Sequence, residues 1–233
     1  MNLKQNLVLI PGVGGNAVLW QHQIRHLADV AHVVVPDLGV SSSRAEMADA
    51  VLNCVSGPFA MTGISMGGWV GFEVASREPR RVTKFAPIAT WARSNPAVES
   101  FQREALKKMK GGFFQDFLLS PGAFPVSPTR LGDEGFFEFL GSQMRDVQEN
   151  IYLRQFEAYL DDYDSRRLLS RIVCPTLVIA GRDDPIFPVD EHVFITQHIN
   201  GAKMALIEDC GHYVTIEQPQ ALSALLRYWL TYF

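Results

Sequence analysis

Apolar and polar positions sort this chain into two kinds of segment. Short, mainly apolar runs lie at 7–10, 32–35, 59–62, 82–88, 177–180 and 202–207, four of them closed directly by glycine or proline. Runs of that kind predict strands buried on both faces. Between them, apolar residues recur at helical spacing. Trp20, Ile24 and Leu27 mark a helix over 17–27, which Asn16 is placed to cap, and Met47, Val51 and Cys54 mark one over 44–54. Further helices are expected over 66–77, near 189–198 and from Pro219 to about Tyr232. Strands alternating with helices predict a parallel sheet of about six strands with helices on both faces and right-handed connections.

The alternation fails over 91–171. That stretch is helical in pattern, broken at Gly111-Gly112, Pro121-Gly122 and Pro125–Pro128, and rich in phenylalanine from Phe101 to Phe139, Phe124 included. It reads as a helical cap inserted between two strands of a core formed by 1–90 and 172–233. The phenylalanines suit an apolar or aromatic acyl pocket and, equally, the cap's own core.

Length and charge narrow the class. A chain of 233 residues suits one domain with room for an insertion. Its apolar content of 47% is that of an ordinary globular protein, and a net charge of −4 gives no reason to expect nucleic acid or an anionic membrane as partner. The basic run Arg103, Lys107, Lys108 and Lys110 reads as a solvated helix face. Cys54, Cys174 and Cys210 are odd in number and form no Cys-x-x-Cys, which predicts reduced, mostly buried thiols. No apolar stretch has the length of a signal core or a membrane span, so the cytoplasm is the expected location. The oligomeric state is expected to be monomer or homodimer.

The candidate chemistry begins at Gly63-Ile64-Ser65-Met66-Gly67, a G-x-S-x-G between a predicted strand and a predicted helix. Small residues on either side let the chain turn sharply and stand the serine hydroxyl clear of the sheet. A serine needs a base. Of the histidines, His212, in Asp209-Cys210-Gly211-His212, falls in the loop after the last strand, where sites of open parallel sheets collect. The base needs an acid, and Asp183 and Asp184 both follow the fifth strand; spacing leaves the two open. The oxyanion of a tetrahedral intermediate needs two donors: the Met66 N–H and one from the loop Pro11-Gly12-Val13-Gly14-Gly15. That loop lacks the third glycine of G-x-G-x-x-G and no Walker lysine follows, which argues against a nucleotide site.

Together these residues resemble the α/β-hydrolase superfamily over nearly the whole chain. The matching pieces are Leu7 to Gly12, Asp37-Leu38-Gly39, Gly63 to Gly68, Gly181-x-x-Asp184-Pro185 and Gly211-His212-x-x-x-x-Glu217-x-Pro219. The resemblance implies Asp184 as the acid and Val13 as the loop donor. It implies a serine carboxylesterase working through an acyl-enzyme, with a small-molecule ester as substrate and no metal or organic cofactor. Trp91, after the fourth strand, is expected to line the substrate pocket, with Ile186 and Val214. Pro11-Gly12 departs from the family's usual His-Gly, and the Asp37 turn is shortened. The chain is also similar to C–C bond hydrolases and to a lyase of this fold; that lyase carries arginine where Trp69 stands. A non-catalytic small-molecule receptor is the alternative from another class.

Overall fold

In a computed structural model, residues 4–119, 125–144 and 147–233 are described. Phe124, Pro121 and Gly122 lie outside them. The six apolar runs form one sheet: β1 (Gln5–Ile10), β2 (Ala31–Val34), β3 (Phe59–Ile64), β4 (Val82–Ile88), β5 (Leu177–Gly181) and β6 (Lys203–Ile207). All pair in parallel, in the order β2-β1-β3-β4-β5-β6.

Strand side chains alternate between faces, and this sheet buries both. Val8, Ile10, Met61, Phe85 and Val178 join one apolar layer. Leu7, Leu9, Ala60, Ala86 and Ile179 join the other. On the first face lie α2 (Arg44–Asn53), α3 (Met66–Arg77) and α9 (Val189–His198). On the second lie α1 (Gln21–Leu27), entered through a 3₁₀ turn, and α11 (Pro219–Tyr232), with Trp20 and Trp229 fully buried between them and the sheet. Asn16 caps that turn by accepting from the Val18 N–H at 2.8 Å.

Between β4 and β5 run α4 (Pro96–Lys108), α5 (Phe114–Leu119), α6 (Glu134–Met144), α7 (Glu149–Asp161) and the single turn α8 (Arg166–Leu169). The α4 helix continues through a widened turn, Met109–Phe113, in which Gly112 takes φ 96°. The basic run faces water and pairs with α7: Lys110 with Glu157 at 2.7 Å, and Arg103 with the Leu160 carbonyl at 2.6 Å. Arg44 of α2 is buried, lies over the Trp69 ring and pairs with Asp162 after α7; the Trp69 indole donates to the Asp162 carbonyl. These contacts fasten the far end of α7 to the helices on the sheet.

One element was not in the pattern. Directly after His212 comes a short helix, α10 (Val214–Glu217). It turns Val214 into the core layer with Trp20, Leu222 and Trp229, so Val214 does not line the cavity described below. Tyr213 and Thr215 line it instead. A single turn of helix sends adjacent residues to different sides, and one turn is too short to show as a sequence period.

Candidate active site

The chain leaves β1 toward β2 on one side and returns to β3 on the other. Strand order reverses between β1 and β3, and the crevice at the carboxyl ends of such a pair is where open parallel sheets bind ligands. Val13 follows β1, Ser65 follows β3, Trp91 follows β4, Asp184 follows β5 and His212 follows β6. A cavity of about 420 Å³ opens there, lined by Val13, Ser65, Trp91, Ile186 and His212 among others.

Ser65 sits in the left-handed region, at φ 55° and ψ −120°. Such a conformation in a non-glycine residue costs roughly 1–3 kcal/mol and persists only where its surroundings enforce it. Here β4 enforces it. The Ser65 N–H donates to the Ile88 carbonyl at 2.9 Å, and the Thr90 hydroxyl donates to the Ser65 carbonyl at 2.8 Å. The flanking glycines allow the crossing of strand and helix. A Cβ at Gly67 would stand 2.2 Å from the Ile10 carbonyl oxygen, and one at Gly63 2.2 Å from that of Gly67. Gly67→Ala is therefore expected to lower stability by about 1–3 kcal/mol, read from urea unfolding, and to lower turnover further because the displaced atoms adjoin Ser65.

The Thr90 backbone is itself held. Its N–H donates to Nε2 of the buried His192 at 3.2 Å, and the other ring nitrogen, Nδ1, lies 3.2 Å from the Pro188 carbonyl. An accepting Nε2 puts the proton on Nδ1, so this imidazole is neutral, and burial pulls its pKa below the ordinary value. The unfolded chain then binds a proton at a higher pH than the folded one. The stabilisation is complete above about pH 6.5 and is lost as pH falls toward the folded-state pKa. Wild type is expected to lose urea-unfolding stability between pH 7 and 5, and His192→Gln to lose less over the same interval.

His212 Nδ1 lies 2.8 Å from Asp184 Oδ2, both groups being buried. The other carboxylate oxygen, Oδ1, accepts the backbone N–H groups of Ile186 at 2.8 Å and Phe187 at 3.1 Å. An ionised carboxylate only accepts, so Nδ1 carries the hydrogen and Nε2 keeps its lone pair. Asp183 turns elsewhere and accepts from the Ser127 hydroxyl at 2.7 Å. The Ser65 hydroxyl makes no hydrogen bond with a described residue; it meets His212 as a fellow lining residue of the cavity.

Two positioning groups had no role in the sequence reading, which named Glu217 only as part of the matched Gly211–Pro219 piece. Glu217 is buried and accepts three backbone N–H groups: Gly211 at 2.9 Å, Tyr213 at 3.0 Å and Ser127 at 2.8 Å. Two of the three flank His212, so this carboxylate fixes the histidine loop on both sides. Burial raises its pKa while the three donors draw it down. Its place five residues after His212 was the available signal. Gln155 of α7 had none. Its amide accepts from the Gly14 N–H at 2.8 Å and donates to the Leu38 carbonyl at 3.0 Å, tying two loops more than 100 residues away in sequence.

The loop after β1 keeps a tight form. The Gly15 N–H donates to the Gly12 carbonyl at 3.0 Å, and Val13 between them lines the cavity. Met66 is the first residue of α3, so its N–H has no acceptor within the helix; its side chain is buried and the residue is not among those lining the cavity. Trp91 stacks on Phe187 with centroids 4.8 Å apart and donates its indole N–H to the Tyr163 carbonyl at 3.0 Å. The phenylalanines of 101–139 divide: Phe101 and Phe117 line the cavity, whereas Phe114 is core and Phe113 is exposed. Among the described residues, no three His, Cys, Asp or Glu side chains converge on a metal position, and no helix is long and apolar enough to cross a membrane.

The profile of the alpha/beta hydrolase family matches residues 7–225. The chain belongs to that family. A 3-oxoadipate enol-lactonase of Acinetobacter baylyi is 29% identical to it over 236 residues, spanning 93% of this chain and 85% of the relative. A candidate carbamate hydrolase, RutD, of Rhizobium rhizogenes is 26% identical, spanning 93% of this chain and 88% of the relative. Among solved structures, a thermophilic esterase of Thermogutta terrifontis superposes with a TM-score of 0.82 at 22% identity, covering 97% of this chain and 89% of that one. That likeness concerns the fold.

Proposed function

We propose that this α/β hydrolase is a serine hydrolase that cleaves a small carboxylic ester through an acyl-enzyme on Ser65. The observation that carries the reading is the buried 2.8 Å His212–Asp184 pair, which leaves Nε2 free on the cavity that Ser65 also lines. In this reading His212 Nε2 takes the Ser65 proton as the hydroxyl oxygen attacks the ester carbonyl. The same proton then goes to the departing alkoxide. Asp184 holds the ring in the required tautomer and stabilises the imidazolium. The serine–histidine contact tightens when substrate fills the site.

The negative charge developing on the carbonyl oxygen is met by the backbone N–H groups of Met66 and Val13. The dipole of α3, whose N-terminus begins at Met66, adds to them. Water repeats the attack on the acyl-serine with His212 again as base. Ester, lactone and carbamate share a carbonyl bearing a heteroatom leaving group, and the two named sequence relatives are an enol-lactonase and a candidate carbamate hydrolase. The test is covalent labelling: a fluorophosphonate is expected to modify the protein stoichiometrically and the adduct to map to Ser65 by peptide mass spectrometry. Full ester turnover in a protein that resists the label would count against an acyl-enzyme.

A further inference from the structure

The α4 helix turns Val98, Phe101, Gln102 and Ala105 toward the cavity, positions that share one helical face. Three of them are apolar. Gln102 is not, although it is only 8% exposed, and its Oε1 has no hydrogen-bond partner. A buried amide without a partner is costly where a leucine of similar size would not be. Gln155, the buried glutamine of α7, has both ends of its amide engaged. Gln102 is thus an unspent hydrogen-bonding group on a wall that is otherwise greasy.

The rest of the lining sets the charge of what it would meet. Apart from His212, the described lining residues include no Asp, Glu, Lys or Arg. The α7 residues of the lining are Tyr152, Phe156 and Tyr159, and burial pushes both phenols upward so that they stay neutral hydroxyls. A carboxylate on the substrate would enter this cavity without a counter-charge among these residues. A neutral hydroxyl or amide would enter with a partner waiting.

Resting on the serine-hydrolase reading, we infer that Gln102 determines specificity: the substrate is an uncharged, mainly apolar ester whose body carries one neutral hydroxyl or amide that bonds to the Gln102 side chain. A hydroxyl or amide both donates and accepts, so it suits either orientation of the glutamine amide.

The test uses the full chain and p-nitrophenyl hexanoate, its analogues hydroxylated at the terminal or penultimate carbon, and the analogue ending in a carboxylate. Wild type is expected to show higher kcat/KM for a hydroxylated ester than for the plain or carboxylate ester. Gln102→Leu is expected to lower the ratio of hydroxylated to plain ester by about tenfold. Gln102→Met, also apolar and unbranched, gives the same readout if the leucine variant does not fold. A ratio unmoved by both variants, or a preference for the carboxylate ester, overturns the inference while Ser65-dependent turnover leaves the serine-hydrolase reading standing. Turnover that survives Ser65→Ala, or no turnover of any ester, fails the serine-hydrolase reading, and this inference falls with it.

Discussion

Ser65→Ala is expected to reduce kcat for p-nitrophenyl butyrate by on the order of a millionfold while leaving the protein folded. The size of the loss follows from the chemistry assigned to the hydroxyl. Without Oγ there is no acyl-enzyme, and His212 activates nothing but water in a site shaped for another nucleophile. Residual catalysis from the oxyanion donors and from binding alone is on the order of a thousandfold to ten-thousandfold over water. The fold is expected to tolerate the change. The elbow is held by the Ser65 backbone, through Ile88 and Thr90, and not by its side chain. Alanine must still occupy φ 55°, so the strain is unchanged. Steady-state turnover alongside a thermal unfolding curve checks both halves. Turnover within tenfold of wild type would remove Ser65 from the nucleophile's role.

The second large effect is expected at Asp184→Asn, a loss of kcat on the order of ten-thousandfold with little change in KM. The direction comes from the two backbone donors. Asp184 Oδ1 accepts from Ile186 and Phe187, so the asparagine carbonyl oxygen takes that place and its NH₂ faces His212. An NH₂ facing Nδ1 demands a lone pair there, and the ring proton moves to Nε2. The imidazole then cannot accept the Ser65 proton, although geometry is kept. Asp183→Asn provides the contrast. Its carboxylate bonds the Ser127 hydroxyl, so its loss is expected to change kcat by less than about tenfold. Equal losses in the two variants would contradict the assignment.

Much of this architecture was legible along the chain. The six mainly apolar runs became the six strands with ends shifted by a residue or two, because the inner strands of a doubly covered parallel sheet need apolar segments wherever it is placed, while the edge strands β2 and β6 stay partly exposed. The elbow was legible for a similar reason: Gly63 and Gly67 answer a close approach of strand and helix that any such turn imposes. Local rules do not reach across the chain, however. Val214 lies two residues from His212, yet one helical turn buries it and brings Tyr213 and Thr215 to the cavity. The tie of Gln155 to Gly14 and Leu38 has no local period or turn chemistry to announce it.

By itself, then, the sequence determined the strand–helix alternation, the sharp turn at Ser65 and the loops on which a base and an acid could stand. All of these depend on neighbours a few residues away. Tertiary structure decided which of two adjacent aspartates reaches His212, since Asp183 and Asp184 differ only in what lies opposite them. It also decided that Glu217 clasps both sides of the histidine loop, and that Gln102 faces the cavity without a partner. Those outcomes depend on the direction of a side chain once distant segments have packed, which one-dimensional spacing does not specify.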